Sequence, residues 1–104
     1  MPFDGTRYER RVPSLETMDR LIDLLGDENR WCRGQLRSPD GRYCIAGAMH
    51  AVGATRDIKN AVLLAIGQVT GRHHCSIENF NDYSRTTHAL VMSVLRQARE
   101  KKSR

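Results

Sequence analysis

The residues of this 104-residue chain best suited to nucleophilic or metal chemistry are Cys32, Cys44 and Cys75, together with His50, His73, His74 and His88. A thiolate is a strong nucleophile and an imidazole its natural base. Cys32 or Cys44 with His88, oriented by Asn81 or Asp82, therefore has the residue types of a Cys-His-Asn/Asp arrangement, and such groups need only meet in space. The plainer reading makes the cysteines small buried hydrophobes, Asp82 or Ser84 a helix cap, and His88 a partner for a backbone carbonyl. No segment carries a specific catalytic signature, so the plainer reading is preferred. The expectation is no catalytic residue; Cys32, Cys44, Asp82 and His88 are the set that would act if any did.

The same side chains raise the question of zinc, since thiolate and imidazole together suit a tetrahedral site. Zinc knuckles place paired ligands about two to four residues apart. Here eleven residues separate Cys32 from Cys44, so no metal and no other cofactor is expected. His73-His74-Cys75 reads as an exposed connector. Neither Gly34 nor Gly41 opens a phosphate loop, because the P-loop and dinucleotide fingerprints are absent. Gly47 and Ala51 sit at the spacing of close helix packing.

Charge supplies the other candidate contacts. The formal net charge is +5, from 17 Lys and Arg against 12 Asp and Glu. Its excess sits largely in the tail, where Arg96, Arg99, Lys101, Lys102 and Arg104 face Glu100 alone. A second cluster, Arg30, Arg33, Arg37 and Arg42, meets only Asp40. Such patches attract phosphates or acidic proteins, although 6% aromatic residues leave little to stack on bases. Arg30, Arg33, Arg37, Arg42, Arg96, Arg99, Lys101 and Lys102 are accordingly the candidate contacts to nucleic acid or an acidic partner. The ordinary reading of the tail is a solvated helix end. Glu16, Asp19 and Asp23 form an acidic stripe that is ordinarily a solvated face and otherwise meets a basic partner.

These groups must be positioned by a single domain, since the length allows one modest core. No apolar run approaches the roughly 18 to 20 residues of a membrane span, so no membrane partner is expected. The segment Met1-Pro2-Phe3-Asp4-Gly5-Thr6-Arg7 does not read as a secretory signal. An odd number of cysteines at irregular spacing argues for reduced thiols, and hence for the cytoplasm.

Residues 1–13 read as a flexible arm, 14–98 as the helical domain and 99–104 as a basic tail. Ser14 is placed as N-cap of a first helix carrying Leu15, Met18, Leu21, Ile22 and Leu25 inward, with Gly26 as its stop. Asp27 caps a short turn leading to Trp31, which is expected to anchor core packing. Ser38-Pro39-Asp40-Gly41 fits a type I turn followed by a glycine of positive φ. In the simplest hairpin register Leu36 faces Tyr43 and Gln35 faces Cys44; Cys32 then lies opposite nothing, and a Cys32 to Cys44 disulfide is not expected. The small residues after Tyr43 predict a helix that a neighbouring backbone approaches closely, ended by Gly53. Thr55 or Asp57 caps the next helix, with Ile58, Ala61, Val62, Leu64, Ala65 and Val69 inward and Gly71 beyond its end. Ser76 caps a turn around Ile77 and Phe80. A last helix from Ser84 or Thr86 turns Ala89, Val91, Met92, Leu95 and Ala98 inward.

Trp31-Cys32-Arg33-Gly34, Gly41-Arg42-Tyr43-Cys44-Ile45-Ala46-Gly47-Ala48, Asn81-Asp82 and Thr87-His88 together resemble a family of short bacterial and phage-encoded domains of unknown function. That family is marked by a Trp-Cys-x-Gly segment, a Cys-x-x-Gly-Ala helix start, and an Asn-Asp followed by a Thr-His that opens the final helix. The resemblance covers about residues 30–98. It implies a small helical fold and brings no activity with it. Phe80 stands where the family often has tryptophan, and the loop between Gly34 and Gly41 is short.

The fold expected is mainly α, a compact bundle of four to five helices with at most one short β-hairpin near residues 35–44. Leu21, Ile22, Leu25, Trp31, Ile45, Ala48, Met49, Leu64, Ala65, Val91 and Leu95 are its expected core. The function expected is that of a small non-enzymatic interaction protein with a protein partner, of phage or mobile-element origin on the resemblance alone. The alternatives are a nucleic-acid or nucleoprotein binder and a Cys/His-dependent enzyme.

Overall fold

The computed structural model describes the backbone of residues 12–102 and the side chains of residues 15–101. Among the described residues five α-helices follow one another: α1 Val12–Leu25, α2 Ile45–Val52, α3 Arg56–Thr70, α4 Ile77–Asp82 and α5 His88–Lys102, with a 3-10 turn at Glu28–Arg30. The protein is mainly helical, and no helix among the described residues is long and apolar enough to cross a membrane.

Met18, Leu21 and Leu25 recur every three or four residues along α1 and are fully buried. Ser14 is not the cap, because the helix runs back through Pro13 to Val12. Proline's fixed φ and missing N–H suit a first turn, so Val12 and Pro13 leave the expected arm and join the helix. Residues 1–11 of that arm lie outside the described residues. After Gly26, the Asp27 carboxylate accepts from Asn29 N–H at 2.9 Å and starts the 3-10 turn.

The Ser38-Pro39-Asp40-Gly41 turn forms as expected, with Gly41 N–H donating to Ser38 O at 3.0 Å and Gly41 at φ +87°. The hairpin register is different by one residue. Arg37, not Leu36, stands opposite Tyr43, because the glycine after the type I turn makes a three-residue loop in place of the two-residue loop assumed. Tyr43 also forms a parallel bridge with Trp31, so this segment holds two isolated bridges and no strand. Cys44 N–H reaches Leu36 O at 3.2 Å, after which the chain enters α2.

Helix α2 is approached by a backbone, as its small residues predict, but the backbone is that of the 31–43 loop. A Cβ added at the buried Gly47 would overlap the Leu36 carbonyl. Ala51 is exposed, so the expected Gly47 and Ala51 packing pair does not form. Gly53 ends α2 in the left-handed conformation at φ 72°. On α3, Ile58, Val62, Ala65 and Ile66 are buried, whereas Leu64 is 59% exposed and leaves the expected core. Two residues advance a helix by about 200°, which turns Leu64 away from the face that Val62 presents.

Ser76 Oγ accepts from Asn79 N–H at 3.0 Å and caps α4, whose Ile77 and Phe80 face the core. Helix α5 begins later than expected. Thr87 Oγ1 accepts from Leu90 N–H at 3.1 Å, while Thr86 Oγ1 turns inward to donate to Phe80 O at 2.8 Å. Val91, Met92, Val94, Leu95 and Ala98 are buried, and Ala89 is exposed. The helix continues through Arg99 to Lys102, so the start of the expected tail is helical. Of the expected core, Ile22 and Trp31 are partly buried against it, and Phe80, Met18, Ile58, Val62 and Ile66 belong in it.

Candidate functional site

The motif residues meet around Asn81, whose side chain on α4 is fully buried. Its Oδ1 accepts from Trp31 Nε1 at 2.8 Å and from Ile45 N–H at 3.0 Å. Its Nδ2 donates to Cys32 O at 3.1 Å and to Asp82 Oδ1 at 3.0 Å. A primary amide offers two lone pairs and two hydrogens, so every bonding position is used. Asp82 Oδ1 also accepts from Gly34 N–H at 2.9 Å, with Gly34 at φ 81°. These two donors hold the Asp82 carboxyl below the usual aspartate range. Arg33 Nη2 donates to Thr86 O, and its guanidinium lies 5.1 Å from the centroid of the Trp31 ring. The resembling motifs thus tie the 31–43 loop, the start of α2 and α4 into one hydrogen-bonded lock.

The thiols belong to the same neighbourhood. The bridge between Trp31 and Tyr43, completed by Cys32 N–H on Tyr43 O at 2.9 Å, runs Cys32 alongside Cys44, which corrects the expectation that Cys32 faces nothing. Both are free thiols, as is Cys75. Cys44 Sγ caps α2 by accepting from Gly47 N–H at 3.3 Å. Burial pushes the Cys44 thiol up, against the opposing pull of the Gly47 and Ala46 N–H groups. Cys32 donates to Gln35 O at 3.5 Å, and burial followed by the nearby Cys44 pushes its thiol up as well.

His88 sits 63 residues from its partner in sequence: Nε2 donates to Leu25 O at 2.7 Å and pins the end of α1 to the start of α5. A carbonyl only accepts, so the proton is on Nε2. Among the described residues no hydrogen bond joins either thiol to this imidazole, and the four catalytic candidates form no relay. Among the described residues no group of three or more His, Cys, Asp or Glu is placed to hold a metal. His74 departs from the exposed connector expected: it is buried, held by Asn79 Oδ1 at 3.2 Å and edge-on to Phe80 and Tyr83.

The arginines divide by what they touch. Arg42 pairs with Asp40 at 3.0 Å, and Arg37 stacks 5.6 Å from the Tyr43 centroid. Arg33 is spent on Thr86 and Trp31. Arg30 and Arg37 are exposed and have no carboxylate partner among the described residues. On α5, Arg99 pairs with Asp19, which removes one member of the acidic stripe from the free surface. Arg96 and Lys101 are exposed, and the Lys102 side chain lies outside the described residues. Leu36, 59% exposed, stands between Arg33 and Arg37 and was absent from the candidates read from sequence. The signal for it was available: a lone apolar residue in the polar run Arg33-Gly34-Gln35-Leu36-Arg37, next to a turn that fixes its direction.

No curated protein and no solved structure matches the chain. A family model matches residues 9–101, nearly the whole length and all of the lock just described. The chain therefore belongs to the family of unknown function DUF6197.

Proposed function

We propose that this chain is a small non-enzymatic binding protein that contacts an acidic protein partner through its 31–43 loop. The observation that carries this reading is Leu36, 59% exposed on a loop whose backbone is fixed at both ends. Gly47 receives the Leu36 carbonyl from below, Asp82 holds Gly34, and Asn81 holds Trp31 and Cys32. A loop ordered before binding loses little freedom on association, and arginine, enriched at contact centres, stands here beside exposed apolar surface. Arg30 and Arg37 supply positive charge with no carboxylate partner among the described residues. Of the polar groups that a thiol enzyme would use, Asn81 and Asp82 are committed to the lock and His88 to the Leu25 carbonyl. Three free thiols suit the cytoplasm, and the motif resemblance suits a phage or mobile-element origin.

Selection of random displayed peptides on the folded protein tests the reading. Enriched peptides should combine acidic and apolar residues and lose binding to Leu36→Ser and Arg37→Gln variants. Enrichment indifferent to both substitutions would sink it.

A second reading, a nucleic-acid contact, is favoured by the same two unpaired arginines. It requires fluorescence anisotropy to detect binding of mixed-sequence DNA or RNA that weakens steeply as salt rises. Undetectable or salt-insensitive binding removes it.

A further inference from the structure

Where the end of α3, the connector after it, α4 and the start of α5 come together lies a cavity of about 330 Å³. That is near the lower bound for small-molecule sites, about 300 Å³. Part of its wall is hydrocarbon, from the half-buried Val69 and Leu90 with the fully buried Phe80 behind them, and the rest includes Arg72, Arg85, Tyr83 and His74. Among the described residues no Asp or Glu lines it. Neither Arg72 nor Arg85 has an ion-pair partner among the described residues, so two guanidinium charges stand beside an apolar floor without counter-charge.

The polar groups are built in place. Arg72 Nη1 donates to Tyr83 Oη at 2.8 Å while its guanidinium lies 5.3 Å from the Tyr83 ring centroid. Because that oxygen is accepting, the tyrosine's own O–H remains a donor. His74 is only 8% exposed. Its Nδ1 donates to Asn79 Oδ1 at 3.2 Å, and Phe80 and Tyr83 each meet the ring at 5.4 Å.

We propose that this cavity binds a small organic carboxylate with a short apolar body. The planar carboxylate matches the arginine fork and accepts from the Tyr83 hydroxyl, while the body covers the half-buried Val69 and Leu90. A neutral ligand would leave both guanidinium charges uncompensated. A bare inorganic anion would leave the hydrocarbon wall uncovered.

The test is an NMR titration of the full chain with sodium phenylacetate, with phenylacetamide as the neutral isostere and sodium phosphate as the anion without a body. Saturable shifts are expected at Val69, Phe80 and Leu90, with phenylacetamide and phosphate each at least about tenfold weaker. Arg72→Gln with Arg85→Gln, both at exposed positions, should weaken phenylacetate by a similar factor. The Trp31 indole N–H signal reports that the Asn81 lock is intact in that variant. Shifts that never saturate, an amide or phosphate as good as the acid, or a double variant that binds unchanged would each overturn the proposal.

Discussion

Asn81 illustrates how one side chain can carry a motif without doing chemistry. Replacing it by leucine keeps the volume roughly but strands the Ile45 N–H and the Cys32 carbonyl, and unsatisfied buried groups cost about 1–3 kcal/mol each. Asn81→Leu is therefore expected to lower stability by about 2–4 kcal/mol, read as a fall in Tm of ~10–20 °C. Asp82 adds a pH signature. Its carboxyl is lowered by the Gly34 N–H and then by the Asn81 amide, so its contribution is present in full above the unfolded aspartate range, about 3.9. That contribution is lost as pH falls through the lower folded value. Thermal unfolding followed through the acid range should show a decline that Asp82→Asn blunts; an identical decline in the variant would contradict the assigned cause. The cysteines give a third readout. Cys75 is exposed, while burial raises both Cys44 and Cys32, so native alkylation at neutral pH should label Cys75 first and Cys44 last. Rapid labelling of Cys32 that His88→Ala abolishes would instead reopen the enzyme reading. At this scale the backbone-carbonyl role of His88 was legible as a type of contact, but its partner was not. The Asn81 hub was hidden because Trp31 and Ile45 lie 50 and 36 residues away from it.

Elements were legible wherever the cause was local. Asp27 and Ser76 cap the turn and helix expected of them, since a short side chain reaching its own backbone needs only neighbouring residues. The register around Tyr43 failed for an equally local reason, because Gly41 belongs to the loop and shifts the pairing by one residue. Leu64 failed for a different one: an apolar residue at an ambiguous angle is decided by which face meets α5, and that is tertiary information. Leu64→Gln should change stability by less than about 0.5 kcal/mol, while Ile66→Ala should cost about 2–5 kcal/mol. Equal effects by denaturant melting would argue against this orientation of α3. Among the glycines, Gly47 beneath Leu36 leaves the least room for a Cβ. Because the Leu36 carbonyl also accepts from Cys44 N–H at 3.2 Å, it cannot retreat without breaking the entry to α2. Gly47→Ala, ordinarily helix-favouring by about 1 kcal/mol, is expected to destabilise by about 2–4 kcal/mol in the same assay. A stabilised variant would show that the loop gives way freely.

For the molecule as a whole, the principal helix contacts close a ring: α1 packs on α2, α2 on α4, α4 on α3, α3 on α5, and α5 back on α1. Phe80, Leu95, Val62 and Met18 come from different members of that ring and are all fully buried in one core. Outside the core, His88 joins α1 to α5, and the Asn81 lock joins α4 to α2 and the loop. A chain with an end helix docked on one neighbour can release it alone, but here α1 is held by two helices and a hydrogen bond. Unfolding is therefore expected to be a single cooperative transition, with the slowest-exchanging amides of α1, α3 and α5 all opening at the global free energy. Native-state hydrogen exchange measures this directly. Leu95→Ala, which removes a buried side chain from α5, should lower the protection of those α1 and α3 amides by the same free energy as its global effect, about 2–5 kcal/mol. If α1 amides instead exchange faster than those of α3 and do not respond to Leu95→Ala, α1 opens independently and the ring does not act as one unit.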